Sequence, residues 1–516
     1  MFAAVTAAAV TGIQGNLVQV EADVSTGLPS VTMVGYLNSQ VREAQERVRS
    51  AIRNTGIFLE PRKITLNLSP ADLRKEGTAF DLPIALALLK AYGILPENAG
   101  EGILTFGELS LNGEVKPVAG VLPVAMLAEK RKMKACMVPR KNQEEACMAG
   151  NIPVIGVKSL QEALDIWKEL AGGKPLQNLC SKKERTRTEE VETGDDFAEI
   201  QGQTLVRRAA EVAVSGLHNF LMIGPPGSGK SAIAKCIPGI LPKVTREEAM
   251  EISSIYSVAG MLSAKQPLIQ KRPFRAPHHT ISAQALAGGG RIPKPGEISL
   301  AHRGVLFLDE LAEFQRSTLE ILRQPMEEHR IQISRVEGQM EFPADFMLVA
   351  AMNACKCGYY PDLNRCTCSM KEIRRYLGKI SQPLLDRIEI CVETSLIGFG
   401  ELSSGKRCES SEAMRKRVET VRQIQQERYQ KSPYRFNSDL DAAGIREYCP
   451  LERSGKELMR NAYERLGFSA RAYHRILKVA RTIADMEEEK QILPRHLSEA
   501  VCYRSVDRRY WKAEEL

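Results

Sequence analysis

The run Gly224-Pro225-Pro226-Gly227-Ser228-Gly229-Lys230-Ser231 fits the pattern G-x-x-x-x-G-K-[ST] and constrains this chain more than any other stretch. It follows the apolar segment Phe220-Leu221-Met222-Ile223, which reads as a buried parallel strand, and precedes Ala232-Ile233-Ala234-Lys235, which reads as the first turns of a helix. Strand, glycine-rich turn and helix N-terminus in that order make an anion cradle. The glycines let successive backbone N–H groups wrap a phosphate, and the helix dipole favours negative charge. Lys230 can reach β- and γ-phosphates, and the Ser231 hydroxyl can hold Mg²⁺. A Gly/Pro turn that binds nothing is the bland alternative, but such turns usually lack the flanking strand and helix. The chain is therefore expected to contain an α/β nucleotide-binding domain with a parallel sheet.

A second apolar strand, Gly304-Val305-Leu306-Phe307-Leu308, ends in Asp309-Glu310. Asp309 can hold Mg²⁺ through water, and Glu310 can orient and deprotonate an attacking water, since in phosphoryl transfer the protein mainly positions groups and neutralises charge. A third strand, Phe346-Met347-Leu348-Val349-Ala350-Ala351-Met352, delivers Asn353 to the same kind of strand end. There an amide can bond both the γ-phosphate and the lytic water, the sensor role of AAA+ ATPases; an ordinary strand-terminating Asn is the other reading. Phe197-Ala198-Glu199-Ile200-Gln201-Gly202-Gln203 resembles the segment that leads into AAA+ modules and implies a position near the adenine.

Two arginines complete the candidate set. Arg387 follows the helical Ser381-Gln382-Pro383-Leu384-Leu385-Asp386, where an Arg of this ATPase class can enter the neighbouring subunit's site; a local pair with Asp386 is the alternative. Arg471 begins a helix whose Ala472, Ile476, Val479, Ala480 and Ile483 share an apolar face. Either it is a lid Arg that touches the γ-phosphate or it is a surface cation.

Between Lys230 and Asp309, the stretch Arg272-Pro273-Phe274-Arg275-Ala276-Pro277-His278-His279-Thr280 and the glycine-rich tract Ala287 to Gly296 read as substrate-contacting loops, with Arg291 and Lys294 available to phosphates. Adjacent histidines seldom face one site, which argues against a metal or catalytic role for His278 and His279. Arg330-Ile331-Gln332-Ile333-Ser334-Arg335, followed by Val336-Glu337-Gly338, is a similar hairpin-like candidate. Cys355-Lys356-Cys357 and Cys366-Thr367-Cys368 bring four thiols into one loop. Either they hold a structural Zn²⁺ or they are reduced thiols in a tight turn, and the C-x-C spacing is less diagnostic than C-x-x-C.

Residues 1 to about 170 read as a separate α/β unit. Val18 to Val24 alternates as a strand, Ser39 to Ile52 is helical with Val41, Ala44, Val48 and Ile52 on one face, Ile64 to Leu68 is a strand, and Leu82 to Leu89 is an apolar helix. Lys75 to Asp81 and Gly107 to Gly120 resemble the proteolytic domain of Lon-type proteases, which implies a ribosomal-S5-like fold. That chemistry needs a Ser activated by a Lys. By motif position the Ser falls on Ala79 and the Lys falls near Leu122, so the domain reads as a protease-like fold without protease activity.

With 71 Lys and Arg against 63 Asp and Glu, the net charge of +8 is compatible with nucleic acid without requiring it. No run approaches the ~18 apolar residues of a membrane span, and the first residues lack the basic region of a signal peptide. A cytoplasmic protein that does not touch membranes, with reduced cysteines, is expected.

Taken together, Gly27-Leu28-Pro29, Val41-Arg42-Glu43-Ala44, Ala71 to Gly77, Phe274 to His279, Arg323-Gln324-Pro325-Met326-Glu327, the cysteine pairs and Pro383 to Arg387 resemble the bacterial YifB/ComM family of magnesium-chelatase-like AAA+ proteins. Ala354 departs from the Asn-Pro-Cys expected there. The resemblance implies a Lon-protease-like S5-fold domain at 1–170, an AAA+ core at 194–395 and a C-terminal helical lid at 396–516, while 171–193, where apolar periodicity fades into Gly172-Gly173-Lys174-Pro175 and mixed charge, reads as a linker. It also implies an ATP- and Mg²⁺-dependent homohexameric ring acting on single-stranded or branched DNA, a branch-migration helicase of natural transformation (competence) or recombination. A protein-remodelling ATPase like the chelatase subunit is the main alternative, and an ATP-dependent protease the lesser one.

Overall fold

The computed structural model describes residues 1–179, 195–263, 265–290, 293–335, 338–398 and 408–511. Most of the 171–193 linker, Arg291 and Val336-Glu337 fall outside them. The chain forms two compact units: Met1–Thr188 with Thr245–Gln270, and Glu189–Val244 with Lys271–Leu516.

The first unit is built on a sheet of β1 (Phe2–Thr11), β2 (Gln14–Ser25), β3 (Ser30–Val34), β4 (Lys63–Ser69), β5 (Ile103–Thr105), β8 (Ala135–Pro139) and β9 (Val154–Val157), with a small hairpin of β6 (Glu108–Leu109) and β7 (Val115–Lys116) beside it. The strand order is β3-β4-β2-β1-β5-β8-β9, mixed in direction: β1, β2 and β4 pair antiparallel, while β3 on β4 and the β1-β5-β8-β9 side are parallel. β1 is alanine-rich, a composition that local propensity assigns to helix. Burial on both faces overrides it: Val5, Ala7 and Ala9 belong to one apolar cluster and Ala8 to another, so small side chains are what fits.

The helix Ser39–Asn54 is capped by the Asn38 side chain and buries Val41, Ala44, Val48, Ala51 and Ile52. The helix Asp81–Ala91 is buried on nearly every side and carries little polar surface. Ala79 packs in a cluster with Leu104, Phe106, Val121 and Val124, and Leu122 is fully buried. Both positions that match the protease pair are thus apolar packing positions.

The segment Thr245–Gln270 joins this unit although in chain order it lies within 194–395. Its helix, Arg246–Ala259, opens with a capping box at Thr245 and Glu248. It is fastened by Ser257: the hydroxyl donates to Glu145 at 2.5 Å and accepts from the Leu122 N–H at 3.3 Å, and the backbone carbonyl accepts from Gly120 at 3.0 Å.

The second unit contains a five-stranded sheet of β10 (Phe220–Ile223), β11 (Phe274–Arg275), β14 (Val305–Leu308), β17 (Met347–Met352) and β18 (Ile390–Glu393), ordered β11-β14-β17-β10-β18 and parallel throughout. Two hairpins project from it, β12 (Gly288–Gly289) with β13 (Lys294–Pro295) and β15 (Arg330–Arg335) with β16 (Gly338–Pro343). The carboxyl-terminal helices Ala470–Met486 and Pro494–Trp511 share one core with the sheet: Ile476, Ile483, Leu497 and Tyr503 belong to the same cluster as Phe220, Val305 and Val349. Among the described residues no helix is long and apolar enough to cross a membrane.

Candidate functional site

Sheet order fixes the site. β10 is flanked by β17 and β18, both from later in the chain, so its carboxyl end is a topological switch point, where parallel α/β sheets bind ligands. From that end the loop Gly224 to Gly229 leads into the helix Lys230–Ile240. Gly227 and Gly229 hold φ of +78° and +80°, which only glycine adopts without strain, and open space lies where their side chains would be. Ser228 anchors the loop from below by a 2.7 Å hydroxyl contact with Thr394, just past β18. Gln203 clamps it from the other side, donating to the Ser228 carbonyl at 3.2 Å and to the Ser395 carbonyl at 2.6 Å. The leading segment is thus beside the loop.

Lys230 is buried and turned back over the loop, donating to the carbonyls of Gly224 (2.9 Å) and Pro225 (2.8 Å) and to Asn353 Oδ1 (3.3 Å). Burial, partly offset by Asp309, pushes its ammonium down to about 8. A buried cation hydrogen-bonded only to neutral oxygens is the feature expected of a phosphate site. The bond to Asn353 places the strand-end amide of β17 at the phosphate loop, two strands in register side by side. Ser231 Oγ donates to Asp309 Oδ2 at 2.6 Å. These hard oxygens, hydroxyl and carboxylate, fit Mg²⁺, which takes oxygen ligands and keeps several waters.

Glu310 follows Asp309 with φ of +52°, a left-handed backbone that costs a non-glycine residue ~1–3 kcal/mol and tends to occur where function demands it. Its side chain is 58% exposed and lies 3.1 Å from His279 Nδ1. His279, within the segment read as a substrate-contacting loop, lies just past β11, the strand beside β14, and that neighbourhood turns it onto Glu310. His278 instead bonds Thr280 at 2.9 Å.

The arginines lie elsewhere. The Arg387 carbonyl accepts from the Asn219 side chain at 2.9 Å, at the amino end of β10 and so the far end of that strand from the phosphate loop. Its guanidinium is 10% exposed and pairs with Glu327 at 2.5 Å, not with Asp386, while its Nε is buried without a partner among the described residues. Arg387 therefore cannot serve the phosphate loop of its own chain. Arg471 is exposed in the first turn of Ala470–Met486, behind the Ser469 cap. The hairpin cation Arg330 is neutralised by Glu341 at 3.2 Å and Glu328 at 3.4 Å, and Lys294 is exposed. The sulfurs of Cys355, Cys357, Cys366 and Cys368 all lie within 4.8 Å of one another, a group able to hold a metal ion.

Thr394 carries no signal of its own in the sequence, Gln203 is reached there only as part of the leading segment, and His279 only as part of a substrate-contacting loop. Only position after a strand marks Thr394 and His279, and that is legible once the strand order is known.

Comparison with known proteins agrees with this geometry. Residues 196–402 match the family described as "Magnesium chelatase, subunit ChlI", residues 20–142 "Subunit ChlI of Mg-chelatase", and residues 408–504 "Magnesium chelatase, subunit ChlI C-terminal". The chain is 42% identical over 501 residues to the competence protein ComM of Haemophilus influenzae, covering 96% of each chain. It is 41% identical over 505 residues to YifB of Escherichia coli, covering 97% of this chain and 96% of that one. A Lon protease of Chloroflexus aurantiacus is 28% identical over 168 residues, 30% of this chain and 20% of that one. With a nucleotide-binding sheet of this order and relatives of this identity along almost its whole length, the chain belongs to the YifB/ComM family of magnesium-chelatase-like AAA+ ATPases.

Proposed function

We propose that the protein is an ATP-hydrolysing motor that works as a homohexameric ring on single-stranded or branched DNA, as a branch-migration helicase in transformation or recombination, in the cytoplasm. The observation that carries the ATPase half is the convergence of Lys230, Asn353, Ser231 and Asp309 at one strand end, with Glu310 beside them. Bound Mg-ATP supplies a polarised γ-phosphoryl group. Gly224 to Gly229 present backbone N–H groups to its phosphates, and Lys230 exchanges its loop carbonyls for phosphate oxygens. Ser231 and Asp309 would hold the Mg²⁺, Asn353 would orient the lytic water, and Glu310 would accept its proton.

Arg387, remote from the phosphate loop of its own chain, supports a role in the neighbouring subunit, which makes hydrolysis depend on a ring. Arg471, exposed on the lid helix, is proposed to reach the γ-phosphate. The DNA half is supported by 42% identity across 96% of a protein named for competence and by the mildly basic charge.

ATP turnover measured with single-stranded, forked and duplex DNA across a salt series tests this reading. Stimulation by single-stranded or forked DNA that declines with salt supports it, since phosphate contacts release counterions. No stimulation at any salt, together with stable capture of a protein partner, replaces it with the protein-remodelling reading. Native mass with and without ATP tests the ring.

A further inference from the structure

Residues 353–369, between β17 and the helix Met370–Leu377, form neither helix nor strand. Loops of this length inside a compact domain are uncommon and need something to hold them. Apolar burial holds only its start, at Ala354 and Cys355, while Leu363 near its middle is 74% exposed. The turn itself is ordered by Asp362, whose carboxylate accepts from the Asn364 N–H at 3.1 Å and whose carbonyl accepts from Cys366 at 2.8 Å. The Arg365 guanidinium lies over the Tyr359 ring at 4.2 Å. This turn brings the two cysteine pairs face to face.

Cys355 Sγ lies 3.3 Å from Cys357 Sγ and 3.7 Å from Cys366 Sγ, and Cys357 Sγ lies 3.5 Å from Cys366 Sγ. A disulfide needs ~2.05 Å, so none is formed. A tetrahedron with Zn–S bonds of ~2.3 Å has edges of ~3.8 Å, close to these separations. Four thiolates around one point suit zinc or iron, and because a multi-iron cluster would spread its ligands further apart, a single ion such as Zn²⁺ fits these separations. The Tyr360 N–H donates to Cys355 Sγ at 3.4 Å, the kind of outer contact that orients a ligating thiolate.

The same loop touches the nucleotide site. Cys355 is two residues beyond Asn353, and Gly358, at φ +85°, lies so close to Pro226 of the phosphate loop that an added Cβ would meet Pro226 Cδ at 2.4 Å.

We propose that Cys355, Cys357, Cys366 and Cys368 bind one Zn²⁺ as a tetrathiolate, and that the ion holds this loop as a strut between the strand carrying Asn353 and the phosphate loop. On binding, four S–H protons pass to solvent and four S–Zn bonds form, with no change of oxidation state. The zinc site stands without the proposed function, and only the strut rests on the nucleotide reading.

The test uses the full chain purified in reducing buffer. Metal analysis after dialysis is expected to give one zinc per chain, and exchange with Co²⁺ the visible absorption of tetrahedral cobalt thiolate. The double variant Cys366→Ser/Cys368→Ser is expected to lose both signals. Gly358→Ala is expected to keep its zinc while ATP turnover falls ~10- to 100-fold, the scale for a displaced positioning element. Substoichiometric zinc in the parent, iron in its place, or full zinc in the double serine variant overturns the site. Gly358→Ala with full zinc and parental turnover overturns the strut. If the parent turns over no ATP, the metal and cobalt readings still decide the site, so the failure of one reading is separable from that of the other.

Discussion

Replacing Asp345 with Asn probes what holds the Asn353 strand in place. Asp345 is buried, two residues before β17, and its carboxylate pairs with Arg303 at 2.7 Å, with His329 at 3.2 Å and with Arg435. Arg303 is 14% exposed, whereas Arg435 and His329 are 43% and 47% exposed. Removing the negative charge takes from the mostly buried Arg303 the carboxylate it pairs with, a change that costs ~3–5 kcal/mol, while water can resolvate the other two at up to ~1 kcal/mol each. The expected loss is ~3–7 kcal/mol, or roughly 6–28 °C in the melting of the second unit at ~2–4 °C per kcal/mol.

With two units the whole chain is not a two-state system, so the readout must be local. The only tryptophans are Trp167, in the first unit, and Trp511, whose indole donates to the Leu377 carbonyl in the second. Urea unfolding followed by fluorescence in a Trp167→Phe background reports the second unit alone. The pH profile adds a sign. The bond from Asp345 raises the His329 pKa, so that contribution is full below the unfolded value of ~6.5 and is lost as pH rises through the folded one. Burial would raise the Asp345 carboxyl, but His329, Arg435 and Arg303 outweigh it and hold it below the usual carboxylate range. Its contribution is therefore present above ~3.9 and is lost as pH falls toward the folded pKa. The parent is expected to be most stable between these limits, and Asp345→Asn to lose both slopes. A midpoint shift worth less than ~1 kcal/mol, the surface-pair scale, would refute the reasoning.

Glu310→Gln keeps the shape of the side chain and removes the base, so turnover is expected to fall ~10²–10⁴-fold while ATP stays bound; parental turnover would sink the assignment. Arg387→Ala is expected to cost ~10³–10⁵ in turnover with ATP binding retained, and mixing it with Lys230→Ala subunits to restore activity, read in a coupled ATPase assay; no recovery in the mixture argues against action in trans. His279→Ala releases Glu310 from a half-exposed contact worth ~0.2–1 kcal/mol, so basal turnover is expected to rise ~1.4- to 5-fold, and a fall would mean that His279 assists the chemistry instead.

The proposed catalytic elements were legible because each couples a strand to a chemically special end: Ile223 to the phosphate loop, Leu308 to Asp309-Glu310, Met352 to Asn353. A strand end is a fixed place in a parallel sheet, so sequence order translates into position. The rest depends on pairings between distant segments. β1 is a strand because two apolar layers need its small side chains, which no local pattern records. Glu327, the partner of Arg387, is brought to it only by tertiary folding, and the nearer Asp386 is the natural guess. Thr245–Gln270 joins the first unit through Ser257 on Glu145 and Leu122, a polar contact in an otherwise ordinary amphipathic helix. The four cysteines were visible as a group, but C-x-C spacing alone did not say that their sulfurs converge.

The site's groups share one property: each already has an internal partner. Lys230 is bonded to its own loop, Ser231 to Asp309, Glu310 to His279, and Arg387 to Glu327. Hydrogen bonds to charged groups are worth ~1.5–3 kcal/mol, so the proposed nucleotide binding and subunit docking would proceed by exchange and gain only the difference between old and new partners. For Lys230 the exchange favours phosphate, because a charged oxygen replaces neutral carbonyls around a buried ammonium. For Arg387 the partner given up is itself a carboxylate, so docking into a neighbour is favourable only where that neighbour offers at least comparable negative charge. A phosphate-filled site offers it and an empty one does not. On the proposed trans role of Arg387, ring assembly through it is expected to follow nucleotide occupancy rather than precede it, and native mass with and without nucleotide checks that order.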